Sequence, residues 1–121
     1  MSKVLLIEDD KKLSTALRLR LQHMSYDVIS VTDAISAMDA AIKNEPNFIL
    51  LDINLPGGNG FVVAERLRGH HSTMSTPIIF ITASSQPEFA EKASEVSRSA
   101  FLQKPFDANQ LMDAIDACVG A

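Results

Sequence analysis

With 121 residues, 46% of them apolar, the chain has material for one hydrophobic core, and two domains would be cramped. A formal net charge of -4 and a pI near 5.2 leave no electrostatic footprint for nucleic acid or an anionic membrane, so any DNA binding is expected on another chain or domain. A single cysteine, Cys118, rules out an internal disulfide framework, and no apolar run approaches the roughly 18 residues that span a bilayer.

The N-terminus has one Lys followed by four apolar residues, which is no secretory signal, and a cytoplasmic protein without membrane contact is expected. Val4 to Ile7 is a short, fully apolar run that ends directly in Glu8, Asp9 and Asp10, as a buried strand ending in acid would. From Lys11 to Met24 the residues Leu13, Leu17, Leu21 and Met24 recur at helical spacing between polar neighbours. Asp27 to Val31 alternates polar and apolar, which suits a strand nearer a sheet edge. Asp33 then caps a helix to about Lys43, with Ile35, Met38, Ala41 and Ile42 expected on its buried side and Pro46 beyond its end.

The central stretch is Phe48 to Gly60, FILLDINLPGGNG, in which unbroken apolar residues deliver Asp52 to a loop of Pro and three Gly. Phe61, Ala64 and Leu67 mark one face of the next helix, which Gly69 stops. Pro77 opens the apolar run Ile78 to Ile81, which ends in Thr82, Ala83, Ser84 and Ser85. Pro87 fits the first turn of a helix to about Val96 whose only apolar positions are Phe89, Ala90, Ala93 and Val96, so this helix is expected to be the least stable. Ala100 to Leu102 forms the last strand, ending in Gln103, Lys104 and Pro105, and Asp107 caps a final helix with Leu111, Met112, Ile115 and Val119 inward. Cys118 falls in that helix and reads as core.

Five strands alternating with five helices, with connections too long for hairpins, predict an α/β fold with a parallel sheet and helices on both faces. In such doubly wound sheets ligands bind beyond the carboxyl ends of the strands, where the acids, Thr82 and Lys104 are expected to meet. Carboxylates gathered there repel one another unless a cation neutralises them. An oxygen-only set with no Cys or His favours Mg²⁺, with Glu8, Asp9 and Asp52 as side-chain ligands. A solvated acidic patch explains Asp10 well and stays open as the alternative for Glu8. An Asp beside Mg²⁺, with a Lys and a hydroxyl nearby, is equipped to form an aspartyl-phosphate: Lys104 and the cation neutralise the phosphoryl oxygens and Thr82 donates a hydrogen bond to one of them. A cis bond at Pro105 is one way to aim the Lys104 ammonium inward.

Four stretches in order, VLLIEDD, LLDINLPGGNGF, ITA and FLQKPF, resemble the receiver domain of a two-component response regulator, and the likeness runs the whole length, residues 1–121. The resemblance implies a flavodoxin-like (βα)5 domain with strand order 2-1-3-4-5. It implies that Glu8 and Asp9 hold Mg²⁺, that Asp52 is the phosphoacceptor, and that the backbone carbonyl of Asn54 completes the metal shell. It further implies that Thr82 and Lys104 read the phosphoryl oxygens, that Ala83 leaves access to Asp52, and that Phe101 is an aromatic rotamer switch; simple core packing is the competing role for Phe101. The donor is expected to be the phosphohistidine of a sensor histidine kinase or of a histidine phosphotransfer protein, and the readout an output domain or downstream protein. Both a monomer and a phosphorylation-dependent dimer fit the sequence, as do a standalone regulator and the receiver of a longer protein.

Ser97 and Arg98 depart from the Gly-Ala of many receivers, and Gly58 and Asn59 replace a bulkier residue and Asp. His70 and His71 read as solvated. Two rival functions stay open at this stage. One is a degenerate receiver that only binds partners, which would require a defective acidic pocket. The other is an aspartyl-phosphate-forming hydrolase of small phosphoesters, which would want a second Asp where Asn54 stands.

Overall fold

The computed structural model describes residues 2–120. Five strands, β1 (Lys3–Ile7), β2 (Asp27–Val31), β3 (Phe48–Asp52), β4 (Ile78–Thr82) and β5 (Ser99–Gln103), form one parallel sheet in the order β2-β1-β3-β4-β5. Five helices follow them in turn: α1 (Lys11–His23), α2 (Ala34–Asn44), α3 (Gly60–Arg68), α4 (Pro87–Ser94) and α5 (Ala108–Val119). This is the flavodoxin-like doubly wound arrangement expected from the alternation, with β2 at the edge as its mixed pattern predicts. After β3 the chain closes on itself in a two-residue antiparallel ladder, Asn54–Leu55 against Gly58–Asn59.

Side chains alternate across each strand, so the sheet divides the core into two layers. Leu5, Ile7, Ile49, Leu51, Ile78 and Phe80 face one layer with Ala37, Ala41, Val63 and Leu67. Val4, Leu6, Phe48, Leu50, Ile79 and Ile81 face the other with Leu17, Leu21, Leu111 and Cys118. The three central strands are buried from end to end at their apolar positions, each such side chain contributing roughly 1.5–3 kcal/mol. That rigid centre fixes where the carboxyl ends of β1, β3 and β4 emerge.

Two helix faces differ from expectation. Ile35 is 77% exposed and Ile42 also faces solvent, whereas α2 seats Ala34, Ala37 and Ala41 inward. In α5, Met112 is exposed and Ala114 and Cys118 take inward positions beside Leu111 and Ile115. An alanine face lets a helix backbone approach the sheet closely, and the bulky residue one position away is rotated outward. The helix ends follow their caps: Asp33 accepts from the Ser36 amide at 2.7 Å, and Asp107 forms a reciprocal capping box with Gln110. The α4 N-cap, Gln86, has no side-chain capping bond, and Ala93 is the one fully buried residue of that helix.

Candidate acidic site at the carboxyl edge of the sheet

Each site residue is held by a continuation of the sheet ladder. The Glu8 amide donates to the Val31 carbonyl at 3.1 Å, that of Ile53 to Ile81 at 3.0 Å, and that of Lys104 to Thr82 at 2.7 Å. Backbone positions at the ends of β1, β3, β4 and β5 are thereby fixed before any side chain chooses a partner. Gly60 tightens the loop after Asp52: a Cβ there would lie 2.6 Å from the Asp52 carbonyl oxygen, a distance that only glycine permits.

The side chains converge as the strand-end reading expects. Lys104 Nζ donates to Glu8 Oε1 at 2.7 Å and to Asp52 Oδ2 at 3.1 Å. Glu8 and Asp52 are both buried, and Asp9 is exposed. Carboxylate oxygens of Glu8, Asp9 and Asp52 lie within 4.8 Å of one another. One ammonium therefore pairs with two carboxylates of a cluster of three. Burial pushes the Glu8 carboxyl up to about 7, outweighing the opposing hydrogen bond from Lys104, and neighbouring Asp52 adds to the rise. For Lys104, burial alone would lower the pKa, but hydrogen bonds from the ammonium to Glu8 and Asp52 reverse the sign and raise it.

The backbone of the next residues completes the pocket. Asp52 Oδ1 accepts from the Asn54 amide at 3.0 Å, and the Asn54 side-chain amide lies 3.4 Å from Thr82 Oγ1. Thr82 is fully buried, and its oxygen also accepts from the Ser84 amide at 3.1 Å. Ala83 is exposed beside it. The Lys104–Pro105 bond is cis.

Phe101 is half-buried in the layer that holds Phe80, opposite it in the β4–β5 register, and lines a cavity of about 200 Å³ with Ala90, Ala93, Ser94, Ser99 and Ala100. Phe101 and Thr82 sit on adjacent strands at positions that share one sheet face.

Some features were not expected. Asp10 is exposed, as a solvated acid is, and it is also the N-cap of α1, accepting from the amides of Lys12 and Leu13. The Asp-x-Lys-Leu spacing ahead of the helix carried that signal. The bridge from Lys104 to Glu8, between groups that were expected to meet, spans 96 residues. His70 and His71 stack at 4.7 Å beyond the C-terminus of α3, at the opposite end of that helix from the Asp52 loop. A surface groove of about 660 Å³ runs between α3 and α4 past Phe61, Met74 and Lys92 and shares no residue with the acidic pocket. Donor chemistry, not cavity size, marks the site.

Fold and pocket together define a parallel α/β domain with a charged oxygen-donor cleft at its switch point. The chain belongs to the response regulator receiver domain family, whose model matches residues 4–116. It is 31% identical over 117 residues, 97% of its own length, to the DNA-binding dual master transcriptional regulator RpaA of Synechocystis, of which it covers 48%. The chain thus spans about half the length of the curated relatives it matches. A putative response regulator from Chloroflexus aurantiacus superposes with a TM-score of 0.91 at 26% identity, covering 98% of this chain and 97% of that one. The receiver domain of sensor histidine kinase PA1611 from Pseudomonas aeruginosa, solved with a magnesium ion coordinated in its active-site cleft, gives a TM-score of 0.89 at 27% identity, covering 99% and 98%. Among the described residues no helix is long and apolar enough to cross a membrane.

Proposed function

We propose that the chain is a phospho-accepting signalling switch in which Asp52 takes a phosphoryl group from a partner's phosphohistidine. The observation that carries this reading is Asp52 itself, a buried carboxylate within hydrogen-bond reach of Lys104 and grouped with two further acids. Transfer forms a bond from an Asp52 carboxylate oxygen to phosphorus and breaks the bond from phosphorus to the imidazole nitrogen, which keeps the electron pair. Lys104, already 3.1 Å from Asp52 Oδ2, is placed to neutralise charge on the arriving oxygens. Thr82 offers its hydroxyl hydrogen to one of them, and exposed Ala83 leaves the approach open.

The donor set fits a hard divalent cation: three carboxylates, no nitrogen or sulfur ligand, and a single Lys as the internal counter-charge. Glu8, Asp9 and Asp52 would hold Mg²⁺ together with the Asn54 carbonyl. When bound, the ion supplies charge neutralisation for the phosphoryl oxygens. Residues 1–121 act as one receiver unit in this reading, in the cytoplasm, with a histidine kinase or phosphotransfer protein upstream and an output domain or downstream protein reading the changed face around α4 and β5. Phe101, beside its cavity, is the residue that would follow Thr82 inward.

Intact mass after incubation with acetyl phosphate tests this. A single phosphoryl adduct that requires Mg²⁺ and is absent in Asp52→Asn is expected. An adduct that persists in Asp52→Asn would place the acceptor elsewhere and end the proposal. Repeated turnover of the donor without any adduct would favour the hydrolase.

A further inference from the structure

The groove of about 660 Å³ between α3 and α4 takes no part in the chemistry of the acidic pocket, and its floor is apolar: Phe61, Ala64 and Val96. Phe61 is held there by tilted ring contacts with Phe80 at 5.0 Å and Phe89 at 6.0 Å, so the floor is continuous with the core. Two further lining residues stand out to solvent, Val62 at 41% and Met74 at 54% exposure. Exposed apolar side chains gathered around a concave floor of this volume mark a binding groove, where the same residues scattered singly would not.

The charges around the groove are unbalanced once their internal partners are assigned. Two cations line it, and both are engaged. The Arg68 guanidinium donates to Ser97 O at 2.7 Å, Arg98 O at 3.3 Å, Thr76 O at 2.7 Å and Thr73 O at 3.4 Å. Lys92 Nζ lies over the Phe61 ring, 5.2 Å from its centroid. The turn that Arg68 grips holds Arg98 at φ 51°, a left-handed conformation that side chains disfavour, so this end of the groove is pinned in place. Arg66 and Arg98 do not line the groove. The acids have no such partners. Glu65 on α3 and Glu95 on α4 line the two walls, and exposed Glu88 and Glu91 continue the Glu95 face of α4 at helical spacing. Among the described residues none of these four makes an ion pair.

We propose that the groove docks an amphipathic helix of another protein, with leucine-sized side chains on its apolar face and Arg or Lys on its flanks. The apolar face covers Phe61, Val62, Met74 and Val96, and the basic flanks meet Glu65 on one side and Glu88, Glu91 and Glu95 on the other. A helix roughly 10 Å across is convex where the groove is concave. A second copy of this chain on a two-fold axis through the groove would set concave surface against concave surface, and the groove offers far fewer than the roughly 20–30 residues a side that a stable dimer uses. Because the groove shares no residue with the cluster of Glu8, Asp9 and Asp52, docking is expected without Mg²⁺ or a phosphoryl group.

Titration of the isotope-labelled chain with a synthetic helix tests this. The probe has about four turns, with leucines along one face and arginines on both flanks. Its controls are the same residues in scrambled order and the same helix with glutamate in place of arginine. Amide resonances of residues 59–68, 74 and 92–97 should move with the probe at micromolar concentration. The scrambled control should bind at least about tenfold more weakly, and the glutamate helix should not bind. Val62→Ser combined with Met74→Ser should weaken the probe by about tenfold, and Glu65→Gln combined with Glu95→Gln by about fivefold. Met112→Ser, at an exposed apolar position on α5, should leave its affinity unchanged. Shifts centred on Glu8, Asp9 and Asp52, equal binding of the scrambled control, or no binding of the probe would each overturn the proposal. So would sedimentation of the chain alone as a dimer that Val62→Ser with Met74→Ser dissociates, since a second copy would then occupy the groove.

Discussion

The carboxyl and amino edges of the same sheet handle buried charge in opposite ways. At the carboxyl edge one ammonium pairs with Glu8 and Asp52 in a cluster that also holds Asp9, and burial pushes Glu8 up to about 7. At the amino edge the Arg68 guanidinium is spread over four carbonyls from two loops, and buried Thr73 donates its hydroxyl to Leu67 O at 2.6 Å. The first edge is short of positive charge and gains from a further cation. The second is satisfied from within. On the proposed function the product is a conformation, which calls for both edges, because a local change of charge moves a surface only if something else stays still.

The comparison is broken most severely by Lys104→Met, which leaves Glu8 and Asp52 buried without their cation. Denaturant unfolding of the metal-free protein at pH 8 should show a loss of about 3–5 kcal/mol, shrinking at pH 5. The sign follows from Glu8. Its folded pKa is raised from 4.5 to about 7, so its contribution to stability is fully present below 4.5 and is lost as pH rises through about 7. Wild-type metal-free protein should therefore lose stability across that window, and Glu8→Gln should flatten the slope. A slope of the opposite sign would mean that Glu8 is held ionised.

At the amino edge, Arg68→Met removes a half-buried charged donor from several carbonyls and should cost roughly 2–4 kcal/mol by the same assay. No pH dependence between 5 and about 8 should accompany it, because a guanidinium stays protonated throughout. Arg98→Gly should produce the smallest effect, a gain of less than about 1 kcal/mol, since relief of the left-handed strain is partly offset by the freer unfolded chain. A loss would mean that the Arg98 side chain contributes contacts that outweigh its backbone conformation.

The sequence carried the strands well because their apolar runs end abruptly in chemistry-bearing residues, and register then brings Glu8, Asp52, Thr82 and Lys104 to one edge. Asp33 and Asp107 announced their helices by capping chemistry, as Asp10 also does, although three consecutive acids disguised it. The inward faces of α2 and α5 were misread at Ile35, Ile42 and Met112, because size favours the bulky residue while close packing on the sheet favours alanine. The Arg68 clamp left no trace in the pattern. Its partners are backbone carbonyls, which every residue has, and only the meeting of two loops after folding selects them.

The most direct test of the unfinished carboxyl edge is unfolding at pH 8 with and without Mg²⁺, in the wild type and in Asp9→Asn. A cation held by these acids in the folded state alone should stabilise the wild type by about 2.7 kcal/mol at a hundredfold excess over its dissociation constant, and most of that gain should vanish in Asp9→Asn. A wild-type midpoint that does not move with Mg²⁺ would contradict the claim that Glu8, Asp9 and Asp52 form a cation site.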